Sequence, residues 1–326
     1  MTAISVIIPV YNGALSLPEL MRQLDNVLPT LAAEFEVICV EDDGKDNSWQ
    51  VIQELAAQYA WLRGFKHMRN FGQHNALLCG IREARYEIIV TMDDDLQHPP
   101  EEIQRLLAKL DEGCDVVYGT PQQEQHGFLR DMASQVTKIA LQSAMGVDVA
   151  RHVSAFRAFR TVLRNAFNTY ESPFVSIDVL LTWGSTRFAA IPVRHEPRRL
   201  GVSNYTLPKL VIHALNMMTG FSTLPLQMAS LIGFAMTLFG VLVLIYVFGR
   251  LLFESSIPGF PFLASVITIF AGAQLFALGI IGEYMARMYV RIMGKPSSLV
   301  RETTEKTVMM TEESTNDHAT SPTLSD

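Results

Sequence analysis

At 326 residues, 49% of them hydrophobic, the chain can bury one substantial core and still have apolar residues left over. A net charge of −7 argues against a general nucleic-acid binder. The three cysteines, Cys39, Cys79 and Cys114, are scattered without metal spacing and read as reduced structural residues of a cytosolic domain.

The chain opens on a buried strand, Ile4–Val10, too short and too poor in basic residues to be a signal peptide, which runs straight into Tyr11-Asn12-Gly13. Leu17, Leu20, Met21, Leu24, Val27, Leu28 and Leu31 then recur at helical spacing. A second strand, Phe35–Val40, ends in the acids Glu41-Asp42-Asp43-Gly44. A helix from about Asn47 to Tyr59, a strand near Leu62–Lys66 and a helix over Phe71–Arg85 lead to the apolar run Glu87–Met92. Val116-Val117-Tyr118 is a further short strand, followed by a polar loop, Pro121–Gly127. This β-α-β-α order predicts a mostly parallel, Rossmann-like α/β sheet with helices on both faces. Ligands of such sheets sit at the carboxyl ends of the strands, where Tyr11-Asn12, Asp42-Asp43 and Asp93–Gln97 would converge.

The most specific run is Asp93-Asp94-Asp95-Leu96-Gln97-His98-Pro99-Pro100. Carboxylates at i and i+2 beyond a buried strand can turn toward one divalent cation, and the Gln97 amide oxygen can join them. Hard oxygen ligands of this kind suit Mg²⁺ or Mn²⁺. Taken alone, the run also reads as an acidic turn before a helix that starts at Pro99-Pro100-Glu101-Glu102.

The surplus apolar residues lie late in the chain. No charged residue occurs from Ala214 to Gly249, nor from Ser255 to Gly282. Each stretch exceeds the roughly 20 residues that cross a bilayer as helix, and the link between them is short, so a two-span hairpin is expected. Arg198, Arg199 and Lys209 precede it and Arg287, Arg291 and Lys295 follow, which places both flanks in the cytoplasm. Past Val300 the Thr-, Ser- and Glu-rich tail reads as disordered. The expected organisation is a domain over residues 1–205, a juxtamembrane amphipathic helix over 206–224, two spans over 225–290 and a largely disordered cytoplasmic tail over 291–326. His74, His195 and His213 lack metal spacing and read as structural or interfacial.

Four motifs together carry a resemblance: Ile8-Pro9-Val10-Tyr11-Asn12, Arg69-Asn70-Phe71-Gly72-Gln73-His74, Asp93–Pro100, and Arg198-Arg199-Leu200-Gly201-Val202-Ser203-Asn204-Tyr205. Over residues 3–296 the chain resembles the GT-A glycosyltransferases of family 2, and within them the polyprenyl-phosphate glycosyltransferases. The resemblance implies inverting, metal-dependent transfer of a sugar from a UDP- or dTDP-linked donor to a polyprenyl (undecaprenyl) phosphate, for cell-envelope glycan or lipid modification. It implies an inner (plasma) membrane location with the catalytic domain cytoplasmic, contact with the lipid bilayer, and a homo-oligomer.

By the same resemblance Asp93, Asp95 and Gln97 hold Mg²⁺ or Mn²⁺, with Asp93, Asp95 and Arg157 counted as catalytic. Pro9 and Tyr11 line the base pocket, Asp42 accepts the imide N–H of the base, Asp94 either touches donor ribose or stands by, and Arg130 approaches the phosphates. Arg198, Arg199 and Ser203 hold the acceptor phosphate. The chain departs from the family at Gly13, where a Glu often follows Tyr-Asn, and at Asp94, often Ala. It also departs at Ala155, where a base-like Asp is usual, and at Asn204, often Lys. A lipid phosphate monoester, with a second pKa of about 6, arrives already anionic, so the missing Asp is tolerable. Two other readings are a processive polysaccharide synthase, whose Gln-x-x-Arg-Trp motif is missing here, and a non-catalytic membrane scaffold built on a degenerate transferase domain.

Overall fold

The computed structural model describes residues 2–121, 145, 152–196, 223–253 and 259–305. Strands β1 (Ala3–Val10), β2 (Glu34–Glu41), β3 (Leu62–His67) and β4 (Ile88–Thr91) run parallel in the order β3-β2-β1-β4. Beyond β4 the sheet continues with β6 (Arg157–Arg160), β5 (Val116–Pro121) and β7 (Phe188–Val193). Strand β6 is antiparallel to β4 and to β5, and β7 is parallel to β5. The result is the mixed α/β, mostly parallel sheet expected from the element order.

Successive side chains of a strand point to opposite faces, and both faces here are covered. Ile8 joins a cluster with Leu20 and Leu24 of α1 (Leu17–Leu31), Ile52 of α2 (Ser48–Gln58) and Leu106 of α4 (Ile103–Asp111). Its neighbour Ile7 joins the opposite cluster, with Leu78 and Ile81 of α3 (Gln73–Glu83) and Leu180 of α5 (Ile177–Thr182). Each such side chain, wholly removed from water, stabilises the fold by roughly 1.5–3 kcal/mol. The helix expected over Phe71–Arg85 begins only at Gln73, because Gly72 takes φ +97° and ψ 154°, a backbone conformation open to glycine that breaks the helix there.

From β1 the chain moves outward through β2 to β3, then returns to lay β4 on the other side of β1. The carboxyl ends of β1 and β4 therefore flank the switch point, where open α/β sheets form a crevice.

Helices α6 (Leu224–Phe253) and α7 (Phe260–Ile292) are long and apolar enough to cross a membrane, with windows Leu224–Val243 and Ile269–Ile292 of mean hydropathy 2.0 and 1.5. Their apolar side chains face outward, Leu231 at 67% and Leu275 at 70% exposure, as a core helix of a water-soluble domain would not. Phe239 stacks near Phe270 across the pair, ring centroids 6.5 Å apart. At the far end of α7, Arg287 lies 4.7 Å from the Phe174 ring and Arg291 5.1 Å from the Tyr170 ring, so this end of the helix rests on the sheet domain.

One expectation is corrected. The chain past Val300 is not structureless at its start: β8 (Val300–Thr303) pairs antiparallel with β3 and covers its edge. Glu302 accepts the Trp49 indole N–H at 2.8 Å, and Glu305 accepts from Arg63 and Arg85 at 2.6 Å each. The expected amphipathic helix lies, up to residue 222, outside the described residues, as does most of the Pro121–Gly127 loop.

Candidate active site

Three non-glycine residues among those described have φ in the left-handed region: Asn12 (56°), Asp43 (52°) and Leu96 (60°). Each follows the carboxyl end of one of the adjacent strands β1, β2 and β4. Such conformations cost of order 1–3 kcal/mol apiece and persist where the surroundings over-determine them. Here they are latched. Asn12 Oδ1 accepts the Lys45 N–H at 2.7 Å, Ser48 Oγ accepts from Gly13 N at 2.9 Å, and Asp46 accepts from Ala14 N at 3.0 Å.

Asp93, Asp94, Asp95 and Gln97 are all half-buried on the loop beyond β4. Asp95 Oδ1 accepts the Gln97 N–H at 3.1 Å, which closes the loop on itself around Leu96. Asp93 Oδ1 accepts from Gln73 Nε2, at the start of α3, at 2.7 Å. Two carboxylates and an amide on one short loop form a hard-oxygen donor set that fits Mg²⁺ or Mn²⁺. Among the described residues no three His, Cys, Asp or Glu side chains gather as they would around an ion held by protein alone. An ion at this loop would complete its shell with water and substrate phosphates, as these ions commonly do.

At the end of β1, Pro9 is buried within the strand, while Tyr11 stands 42% exposed. Asp42 is turned into the protein. It is 3% exposed and already accepts from Phe71 N at 2.8 Å and Gly72 N at 2.6 Å, with His67 Nδ1 at 2.7 Å. These bonds fix the turn between β3 and α3. The acid that the end of β2 presents to solvent is its neighbour Asp43. The sequence marked both aspartates of this strand end but carried no sign of which one turns inward. Between them and the strand, Glu41 is 2% exposed, and burial holds its carboxyl above the ordinary range despite the Gly44 N–H and Lys66.

Arg157 is also placed differently from expectation. It is 1% exposed and lies under the cleft floor rather than in it. Its guanidinium pairs with Asp178 and donates to Thr91 Oγ1 at 3.1 Å, while Tyr118 donates to the same Asp178 carboxylate at 3.1 Å. Thr91 in turn donates to the Ala155 carbonyl at 2.7 Å. The group braces β4 just before its Asp-rich loop, which places Arg157 to hold that loop in position.

The segment leaving β7 is held against the Asp-rich loop. Glu196 N donates to the Gln97 carbonyl at 2.8 Å, and Arg194 donates to Glu102 at 2.8 Å. His98 stacks on Phe156, centroids 5.1 Å apart, with His195 5.0 Å away. Burial pushes His98 down to about 4, His195 beside it acting the same way, so it is a neutral packing group at pH 7. Arg198, Arg199 and Ser203, two to seven residues beyond Glu196, lie outside the described residues, and so does Arg130. Arg194, Glu196 and Gln73 were not singled out in the sequence. Only Gln73 carried a signal, its place in the Arg69–His74 motif.

The chain is similar to a number of solved structures. Among solved structures it is similar to glucosyl-3-phosphoglycerate synthase from Mycobacterium tuberculosis, at 17% identity and a TM-score of 0.49 over 67% of this chain and 78% of that one. It is also similar to residues 1–349 of S. aureus TarS, at 17% identity and a TM-score of 0.44 over 67% and 64% of the two chains. Against the longer TarS structure the match covers 39% of that chain, at 16% identity and a TM-score of 0.46. This chain thus spans less than two thirds of either TarS structure. The sequence model described as glycosyl transferase family 2 matches residues 5–169, just over half of the chain and all three strand ends of the cleft. On that match the chain belongs to glycosyl transferase family 2.

Proposed function

We propose that this family 2 glycosyltransferase transfers a sugar, with inversion, from a uridine or thymidine diphosphate donor to a polyprenyl phosphate at the cytoplasmic face of the inner membrane. One observation carries the acceptor side of this reading. The segment bonded to the Asp-rich loop through Glu196 N and Gln97 O is the one that runs, through Arg198 and Ser203, to the apolar helix α6. In this reading a lipid phosphate held by Arg198 and Ser203, two and seven residues beyond Glu196 in sequence, meets the donor diphosphate. The hairpin reading gains support from β8, which can pair with β3 only if the chain crosses the membrane an even number of times.

In this reading Asp93, Asp95 and Gln97 hold Mg²⁺ or Mn²⁺, which when bound neutralises charge growing on the departing nucleoside diphosphate. Tyr11 and Asp43 flank the base at the ends of β1 and β2, and Arg130 meets the donor phosphates. Arg198, Arg199 and Ser203 hold the acceptor phosphate by charge-assisted hydrogen bonds. A phosphate oxygen of the lipid forms the bond to the anomeric carbon, and the bond from that carbon to the β-phosphate oxygen breaks, so one displacement inverts the centre. The nucleophile needs no proton removed, which suits a site with Ala155 in place of an acid. Assembly into a homo-oligomer belongs to the same reading.

The test is reconstitution of the full chain in vesicles with undecaprenyl phosphate, Mn²⁺ and a panel of radiolabelled UDP- and dTDP-sugars. Labelled lipid from one donor, lost in EDTA and in Asp95→Asn, is the expected result. Label that appears only in soluble products would overturn the acceptor assignment.

A further inference from the structure

The motif Arg69-Asn70-Phe71-Gly72-Gln73-His74 has no part in the mechanism above, yet it sits between the two sides of the cleft. Its backbone is anchored on β2 through the Phe71 and Gly72 N–H bonds to Asp42. Asn75 Nδ2 closes the turn on the Phe71 carbonyl at 2.6 Å and reaches the Pro173 carbonyl at 3.2 Å. His74 Nδ1 accepts the Ile177 N–H at 3.3 Å, at the start of α5. Arg69 lies over the Phe71 ring, 4.3 Å from its centroid. Held at these points, the first residue of α3 extends its side chain to the opposite wall, where Gln73 Nε2 meets Asp93 Oδ1 at 2.7 Å.

We infer that Gln73 is a positioning residue for the metal centre, holding the Asp93 carboxylate in the orientation that receives the ion; the inference rests on the metal site of the proposed function. A carboxylate can only accept, so the group facing it is the amide NH₂. That donor holds one oxygen at 2.7 Å and so limits how the carboxylate can turn. Being neutral, the amide does this without placing a competing cation beside the site. An acid free to rotate at a strand end would have to be ordered by the ion itself, and that ordering weakens binding.

The test uses the full chain in detergent and Mn²⁺ alone as metal, with free Mn²⁺ read by electron paramagnetic resonance in the presence of UDP and, in a parallel arm, dTDP. Gln73→Leu, one bond shorter, keeps a branched side chain of similar bulk and removes the donor. It is expected to raise the Mn²⁺ dissociation constant about 10-fold, the low end for an outer ligand because Gln73 is exposed, with melting temperature unchanged. Gln73→Asn, which withdraws the same amide by one methylene, is expected to show a similar loss and serves if the Leu variant folds poorly. Wild-type uptake of Mn²⁺ with equal uptake by both variants would overturn this inference alone. No nucleotide-linked Mn²⁺ uptake by the wild type in either arm would overturn the metal site of the proposed function, and this inference with it.

Discussion

A Cβ on Gly13 would stand 2.0 Å from Oδ2 of Asp94, closer than real Cβ atoms approach any atom. A side chain at 13 would therefore require the Asp94 carboxylate to turn from its present position. The two positions thus compete for the same space. Gly13→Ala should displace the Asp-rich loop and lower turnover about 10-fold or more. Asp94→Ala on that background should restore thermal stability, with a coupling of roughly 0.5–3 kcal/mol of opposite sign to the single effects. Additive losses in melts of the four variants would show that the two sites do not communicate.

Glu41 gives a pH dependence of known sign. Burial raises its folded-state pKa above the unfolded value, so the folded chain holds a proton that the unfolded chain has released. Its contribution is fully present below the ordinary carboxylate pKa and is lost as pH rises through the folded value. Glu41→Gln keeps the acceptor for the Gly44 N–H, 2.5 Å away, and cannot ionise. It should therefore raise the melting temperature at pH 8 and leave it unchanged at pH 4; equal effects at both would refute the assignment.

Arg157 and Asp178 should behave as a buried pair. Truncating either to Ala leaves an uncompensated charge and is expected to cost about 3–5 kcal/mol. Replacing both with Leu should cost much less than the sum of the two. Arg157→Lys that folds normally yet loses turnover 1,000-fold would return this residue to the chemistry.

The C-terminal strand makes its own prediction. Removing residues 300–305 uncovers the β3 edge and leaves the side chain of Arg63, 9% exposed, without its bond to Glu305. The shortened chain should melt earlier and aggregate on dilution from detergent. Glu302→Ala alone should cost about 1 kcal/mol and shift Trp49 emission, since it removes the partner of the indole N–H.

The parts of the molecule that could be read from the chain are those where one local pattern decides. The apolar runs of β1 and β2, the helical spacing of Leu17–Leu28 and the Asp93–Gln97 loop all state their place without reference to distant residues. What escaped was settled by partners far along the sequence. Asp42 turns inward because Phe71 and Gly72 present two N–H groups to it, and Arg157 is buried because Asp178 is there to pair with. Val300–Thr303 has no apolar alternation, being an exposed edge strand, and its pairing with β3 could not be seen in its composition.

Because β8 comes from beyond both apolar helices, the sheet cannot be finished in the order in which it is made. About 230 residues separate β3 from its edge partner, which at ~5–20 residues per second is roughly 10–50 s of synthesis. Through that interval the nascent domain carries an open edge, the condition under which sheets pair with the wrong chain. Completion of the domain therefore waits on a single late event, the docking of Val300–Thr303, and until then β3 is bare however well the rest of the sheet has formed.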